Sequence, residues 1–142
     1  MHETIITSEA SVGNDTERSS VGFTVLNRMG RNGTAQVKDV SSGYARNRPP
    51  RPWAIRLATT ILRNELADPT NGATHFYSPQ YMPKEGEMAG RADVGGGLEQ
   101  SGNLPKKHYR PGYAKAFSPV TVPHVRERHF RFYRAPGNGH VQ

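Results

Sequence analysis

Hydrophobic residues recur at steps of three and four along the first part of the chain: Val21, Val25, Leu26 and Met29. This spacing places them on one face of a helix that packs into a core. Residues 14–16 precede the stripe with side chains typical of a helix N-cap, and the Asn-Gly pair at 32–33 is a typical helix end. The pattern predicts a core helix over residues 15–31, preceded by a short helix within residues 1–12.

A second apolar stripe follows a connector rich in proline and arginine at residues 46–52. Pro52 suits the first turn of a helix, where its missing N–H costs no hydrogen bond. The predicted helix runs from Pro52 to about Ala67, and turn-forming residues at 68–72 end it. Its expected core stripe has helical spacing: Ile55, Ala58, Ile61, Leu62 and Leu66.

Two segments in the second half, residues 73–78 and 129–134, alternate apolar and polar side chains with the period of a β-strand. We expect them to pair as antiparallel neighbours. The stretch between them, residues 79–115, is rich in glycine and proline and predicts a long loop, and residues 136–142 predict a tail. The chain is therefore expected to form one α+β domain over residues 1–135, with helices packed on a small antiparallel sheet.

Lysine and arginine outnumber aspartate and glutamate by 19 to 12, which gives a net charge of +7 at pH 7. A positive field favours polyanionic surroundings such as nucleic acid, an anionic membrane or the bacterial cell wall. The basic residues are dispersed along the chain, and no base-reading module is recognisable. We expect a general surface attraction to polyanions, with no nucleic-acid or membrane partner. Nucleic-acid binding, the weakest alternative, predicts a steep salt dependence on DNA.

Several classes of chemistry lack the residues that they need. The absence of cysteine excludes a cysteine nucleophile, a disulfide framework and a thiolate metal site. The six histidines form no His-Glu-x-x-His motif, and the glycine runs at 95–97 and 137–139 lack the context of a phosphate-binding loop. We expect no metal and no other cofactor. No membrane-spanning run and no export-signal pattern are present, so any role outside the cell would require delivery by other machinery.

Three ordered motifs point to a family. Glu9-Ala10 is followed by Asn27-Arg28 at the end of the predicted core helix, residues 67–79 read Ala-Asp-Pro-Thr-Asn-Gly-Ala-Thr-His-Phe-Tyr-Ser-Pro, and residues 129–134 read His-Phe-Arg-Phe-Tyr-Arg. Together they resemble the SleB-type cell-wall hydrolases, which include the spore-cortex-lytic enzymes. The sequence departs from the family in having Val12-Gly13 where a glycine-glutamate is usual, and it lacks the Phe-Pro segment after the helix.

The resemblance implies a lysozyme-like domain that cleaves peptidoglycan between N-acetylmuramic acid and N-acetylglucosamine. It also implies lytic transglycosylase chemistry, in which Glu9 alone serves as the catalytic residue. Glu9 would protonate the leaving glycosidic oxygen and then accept the proton of the muramoyl 6-hydroxyl, which closes a 1,6-anhydro ring. Asp15 and Glu17 are better explained as charges of a helix cap and first turn, so we leave them out of the catalytic set.

Aromatic rings that stack on sugar faces, beside amide and hydroxyl groups, make up the predicted substrate site. The candidate substrate-binding residues are Asn27, Tyr44, His75, Tyr77, Ser78 and Tyr81. Alternation along the strand should turn Phe76 towards the helices and leave His75 and Tyr77 facing a groove near Glu9. Asn27 is expected to support the site backbone, and Tyr44 to stand where the family has an aromatic residue after the helix.

The expected partners are peptidoglycan glycan strands and, if the protein travels with a virion, phage tail or baseplate proteins. The main alternative function is a structural or wall-binding tail component that has the same fold but no activity. Both functions predict binding to intact cell walls. Only the enzyme predicts the release of anhydro-muropeptides.

Overall fold

The structure is a computed structural model that describes residues 1–79, 92–93, 99–100, 111–127 and 129–137. Its helices are α1 (His2–Ala10), α2 (Asp15–Asn32) and α3 (Pro52–Leu62), with short 3-10 turns at Val37–Asp39, Ser41–Gly43 and Gly112–Lys115. Its strands are β1 (His75–Tyr77), β2 (Ala92–Asp93), β3 (Glu99–Gln100), β4 (Ser118–Val120) and β5 (Arg131–Arg134). The predicted α+β class is confirmed in the described part of the chain.

Helix α2 is the central helix, and both of its ends are set by local sequence. Asn14 accepts a hydrogen bond from the Glu17 backbone N–H at 2.8 Å, and the Glu17 carboxylate accepts one from the Asn14 N–H at 2.9 Å. This reciprocal pair is a capping box. Gly33 ends the helix with a φ of 68°, a left-handed conformation that favours glycine. The predicted helix over residues 15–31 is confirmed.

The other two helices pack closely on α2 at Gly22. A Cβ atom at this position would lie 2.7 Å from Cδ1 of Ile61 and 3.1 Å from Cδ1 of Ile6. The missing side chain therefore lets α1 and α3 approach α2. Ile6 and Ile61 are both buried, which places the helical core at this crossing.

Helix α3 begins at Pro52 as predicted but is shorter than the sequence pattern indicates. It ends at Leu62, and Asn64 then adopts a φ of 59°. A left-handed residue at this point turns the chain away from the helix axis. The predicted extension to Ala67 is therefore wrong.

The buried face of α3 also differs from the predicted stripe. Ala54, Ala58 and Ile61 are buried, but Ile55, Leu62 and Leu66 are 48%, 54% and 36% exposed. The buried residues fall at steps of four and three, which is itself helical spacing. Ala58 and Ile61 are thus buried as predicted, whereas the predicted burial of Ile55, Leu62 and Leu66 is wrong. Ala54 is buried in addition because Ile6 of α1 packs on the face that carries it.

The main sheet has the order β1-β5-β4, with both pairings antiparallel. The predicted pairing of the two alternating segments is confirmed, with Phe76 opposite Phe132. One face of the sheet carries Phe76 and Phe132, which pack with Phe130 against the helices. The opposite face carries Tyr77 and Tyr133.

The long loop predicted over residues 79–115 lies mostly outside the described residues. Within it, β2 and β3 form a separate antiparallel pair, and residues 111–115 lead into β4. Most of the tail predicted over residues 136–142 also lies outside them. None of the described helices combines the length and the apolar character needed to cross a membrane.

Candidate functional site

Glu9 lies in the last turn of α1 and is partly exposed. Its Oε2 atom accepts a hydrogen bond from the Ala45 backbone N–H at 3.1 Å. The two preceding residues of α1 bind the connector that follows Ala45. The Ser8 hydroxyl accepts a hydrogen bond from the Arg48 N–H at 3.0 Å, and the Thr7 hydroxyl accepts one from the Arg51 N–H at 3.1 Å.

Three consecutive side chains of α1 therefore bind backbone N–H groups spaced three residues apart in the connector. An extended, proline-containing segment has few partners of its own for these groups, so the side chains supply them. This ladder fixes the connector beside the end of α1. It also gives Glu9 a defined orientation. The sequence contained the three acceptors, but nothing in it indicated which backbone they would meet.

A pocket of about 390 Å³ opens beside Glu9, and we call it the Glu9 pocket. It is lined by Ser8, Glu9, Ser11, Val12, Gly43, Arg48, Phe76, Tyr77, Ser78 and Phe130. These residues come from the end of α1, the connector, β1 and the residue before β5. Three of the predicted site residues meet here, because Glu9, Tyr77 and Ser78 all lie in this wall.

The Glu9 pocket combines an aromatic wall with a polar one. Phe76 and Phe130 form the aromatic side, with ring centroids 5.8 Å apart. Glu9, Ser8 and Arg48 contribute groups that bind hydroxyls and charge. Its volume falls in the range of small-ligand sites, which hold ligands by apolar walls and a few oriented polar groups. The arrangement suits a sugar ring next to an acid-base group.

The Tyr77 ring is not the open stacking surface that we predicted. Tyr77 is only 5% exposed, its ring stacks on Tyr133 with a centroid distance of 6.1 Å, and its hydroxyl accepts from Arg131 at 3.3 Å. The alternation along β1 was predicted correctly. The error arose because residues 111–117 fold over this face of the sheet and cover it with Tyr113 and Phe117.

His75 lies under the same cover and does not line the Glu9 pocket. Its ring is 4.9 Å from that of Tyr113 and 4.8 Å from that of Phe117. Burial lowers the pKa of His75 to about 4, with further lowering by the positive charges of Arg28 and Arg31. The ring is therefore neutral at neutral pH, which suits its aromatic packing. Its predicted position facing an open groove is wrong.

Tyr44 lies beneath the pocket and is not in its lining. The ring is 6% exposed, the hydroxyl is 3.1 Å from the Thr24 hydroxyl, and the Arg28 guanidinium lies 4.6 Å from the ring centroid. Burial raises the pKa of Tyr44. Tyr44 is the residue before Ala45, whose backbone N–H binds Glu9. The anchored Tyr44 side chain therefore helps to hold this N–H in place.

Asn27 and Arg28 hold the turn that leads into β1. The Asn27 amide donates to the Ala73 carbonyl at 2.8 Å and to the Asp68 carboxylate at 2.9 Å, and Arg28 donates to the Thr74 carbonyl. Asp68 in turn accepts hydrogen bonds from Thr70 and Gly72. Asn27 therefore supports the site backbone, as its predicted supporting role requires. Tyr81 lies outside the described residues.

Glu17 has a structural role in addition to its charge in the first turn of α2. Its side chain is fully buried, and it accepts hydrogen bonds from the Arg126 backbone at 2.8 Å and from the Arg126 guanidinium at 2.7 Å. Burial opposes its ionisation, but the hydrogen bonds from Arg126 and Asn14 prevail and lower the pKa of Glu17 to about 2. The pair ties α2 to the segment that leads to Phe130. The capping-box spacing was visible in the sequence, but the partner was not.

In the described part of the chain, no group of three or more acidic, histidine or cysteine residues is placed to hold a metal ion. Comparison of the protein with family models, with curated proteins and with solved structures yields no match. The candidate function therefore depends on the site geometry and on the residues of the three motifs.

Proposed function

We propose that this protein cleaves the glycan strands of peptidoglycan between N-acetylmuramic acid and N-acetylglucosamine, as a lytic transglycosylase with a lysozyme-like domain. In this proposal Glu9 is the catalytic residue. Delivery to the wall would come from a virion or an injection machinery, with phage tail or baseplate proteins as neighbours.

One observation carries the proposal. The Glu9 carboxylate shares a pocket with Ser78 and Phe130, which belong to motifs about seventy and one hundred and twenty residues further along the chain. Asn27-Arg28, the second half of the motif that begins at Glu9, holds the turn before β1. A resemblance found along the sequence thus corresponds to a group of residues that meet in space. Such convergence supports a shared site.

The chemistry follows from a single carboxylate. Glu9 donates its proton to the glycosidic oxygen as the bond from that oxygen to C1 of the muramoyl residue breaks. The ionised Glu9 then accepts the proton of the muramoyl 6-hydroxyl, whose oxygen bonds to C1 and closes the anhydro ring. No water is consumed. In the described pocket wall Glu9 is the sole carboxylate, which suits this route better than a mechanism with two carboxylates.

The Ala45 N–H has a defined part in this cycle. A hydrogen bond to the ionised carboxylate stabilises the charge that forms after proton donation, and it keeps the group oriented for the return step.

Mass spectrometry of peptidoglycan digested with the full chain tests the reaction. We expect muropeptides whose muramoyl end is lighter by one water than the product of hydrolysis. Products with a reducing muramoyl end would contradict the transglycosylase route and indicate a hydrolase. Binding to cell walls without any release of muropeptides would contradict the enzyme and favour a structural wall-binding component.

Ser78 offers a separate test of substrate contact. Its hydroxyl oxygen is buried and has no hydrogen-bond partner in the described structure, although Ser78 belongs to the pocket wall. An unpaired buried hydroxyl costs stability, so S78A should change the free energy of unfolding by no more than about 1 kcal/mol. If the hydroxyl binds substrate, S78A should raise KM about three- to tenfold.

The exposed Ser42 supplies the matched control, because S42A removes the same atom outside the pocket. S42A should leave both KM and stability unchanged. An unchanged KM in S78A would show that the Ser78 hydroxyl does not contact the substrate.

A further inference from the structure

A second pocket, of about 620 Å³, lies beside the Glu9 pocket and carries an unusual concentration of positive charge. We call it the arginine pocket. It is lined by Thr7, Ser11, Arg18, Arg48, Pro49, Pro50, Arg51, Pro52 and Trp53. Three arginine residues therefore line one cavity. Its described lining contains no acidic residue.

The three arginines form no ion pair with any described residue. Among the described residues, no carboxylate lies within ion-pair distance of Arg18, Arg48 or Arg51. Arg48 and Arg51 are exposed. Their hydrogen bonds to α1 use mainly backbone N–H groups. Both guanidinium groups are thus available to a ligand.

Arg18 gives the pocket a rigid base. Its guanidinium donates to the carbonyls of Ala10 and Ser11 at the end of α1, and it lies 3.8 Å from the centre of the Trp53 ring. Carbonyl partners orient the group without neutralising its charge. The half-buried indole and the prolines add apolar surface to the same wall.

The arginine pocket and the Glu9 pocket are adjacent. Ser11 and Arg48 line both of them, and the Arg48 guanidinium lies 3.5 Å from the Ser11 hydroxyl. A branch of a ligand bound at Glu9 that passes Ser11 and Arg48 would meet the arginine side chains of the second pocket. A neutral glycan has no group that matches their positive charge.

We propose that the arginine pocket binds the carboxylates of the peptide that branches from the muramoyl residue bound beside Glu9. This inference depends on the proposed function. Planar guanidinium groups match carboxylates with paired hydrogen bonds, and alanine methyl groups of such a peptide suit the proline and Trp53 surfaces. The pocket makes the enzyme selective for glycan strands that carry peptides. Phosphate groups of other wall polymers are the competing source of anions.

A binding measurement tests the pocket apart from catalysis. The probe is the soluble tripeptide L-alanyl-γ-D-glutamyl-diaminopimelate, titrated into the full chain and followed by calorimetry. R51Q removes one exposed charge while the Arg51 backbone contact to Thr7 stays intact, so the fold is retained. We expect R51Q to weaken tripeptide binding about three- to tenfold, and salt to weaken binding to the wild type.

R56Q is the matched control, because Arg56 is an exposed arginine of α3 outside the pocket. It should bind the tripeptide as the wild type does. Equal affinities in the wild type, R51Q and R56Q, or no binding at all, would overturn the proposal. Tighter binding of glycerol phosphate than of the tripeptide would assign the pocket to phosphate and also overturn it.

The two proposals fail separately. If the pocket is correct, the wild type cleaves peptide-bearing strands with a higher kcat/KM than strands stripped of peptide, and R51Q reduces this preference without changing the rate on stripped strands. Tripeptide binding that depends on Arg51, without cleavage of any strand, would preserve the arginine pocket and reject the catalytic function. Cleavage without a preference for peptide-bearing strands, together with no tripeptide binding, would preserve the catalytic function and reject the arginine pocket.

Discussion

E9Q is expected to lower the rate of peptidoglycan cleavage by about 10²- to 10⁴-fold, the loss typical of a removed general acid. Glutamine keeps the shape of the side chain, and its amide oxygen can still accept the Ala45 N–H bond that Glu9 accepts at 3.1 Å. The E9Q variant lacks the acidic proton that the Glu9 carboxyl donates and takes back. The expected loss is therefore in turnover, measured as the release of anhydro-muropeptides.

Binding and stability separate this result from a folding defect. Association of E9Q with intact cell walls and its melting temperature should match those of the wild type. E65Q makes the same chemical change at an exposed glutamate beyond α3 and should retain full activity. Wild-type turnover in E9Q would remove Glu9 from the catalytic role and require another residue to act as the acid.

E17Q is expected to reduce the free energy of unfolding by about 2 kcal/mol at pH 7, the order found for hydrogen bonds to a charged group, because the Glu17 side chain is fully buried although Arg126 is exposed. Glu17 accepts hydrogen bonds from the backbone N–H groups of Asn14 and Arg126 and from the Arg126 guanidinium. A neutral amide accepts these bonds more weakly and turns an NH₂ group towards donors. Chemical denaturation monitored by circular dichroism measures the loss.

The contribution of Glu17 should depend on pH in a defined direction. The pKa of Glu17 falls from 4.5 to about 2 on folding. A carboxyl with a lowered pKa stabilises the fold above its unfolded value, and this stability is lost as the pH falls through the folded value. The difference in unfolding free energy between the wild type and E17Q should therefore be constant above about pH 5.5. It should shrink between pH 4.5 and 2.

D15N provides the comparison for E17Q. Asp15 is an exposed acid in the same first turn, so its loss removes charge near the helix end but no buried partner. Such a charge contributes about 0.3–1 kcal/mol. Equal effects of D15N and E17Q, or a loss in E17Q that does not shrink in acid, would show that the pairing with Arg126 contributes little to the fold.

The sequence by itself determined the features that arise within a few residues of each other. Helix α2 has both its cap and its stop in neighbouring residues, Asn14 and Gly33, and Pro52 sets the start of α3 through its own ring. The alternation of β1 and β5 was equally local, and it predicted both segments as strands. Their pairing could therefore be predicted, although β4 on the other side of β5 could not.

Only the tertiary structure decided which faces were covered. The predicted apolar stripe of α3 was right for Ala58 and Ile61, but packing against Ile6 of α1 buries Ala54 and leaves Ile55 and Leu62 exposed. Tyr77 alternates correctly along its strand, but residues 111–117 cover its ring. Whether a residue is buried depends on which distant segments pack against it. Periodicity shows only which residues lie on the same face of a helix or strand.

The same distinction applies to the candidate site. Glu9 could be proposed as the candidate acid from the motif around it, and Asp15 and Glu17 could be assigned to a helix cap and first turn. The Ala45 N–H that holds Glu9 and the Arg126 that pairs with Glu17 could not be identified. They are 36 and 109 residues away from their partners, and contacts at such separations depend on how the whole chain packs. Local residue types determined the helices and the candidate acid, whereas long-range packing decided what surrounds them.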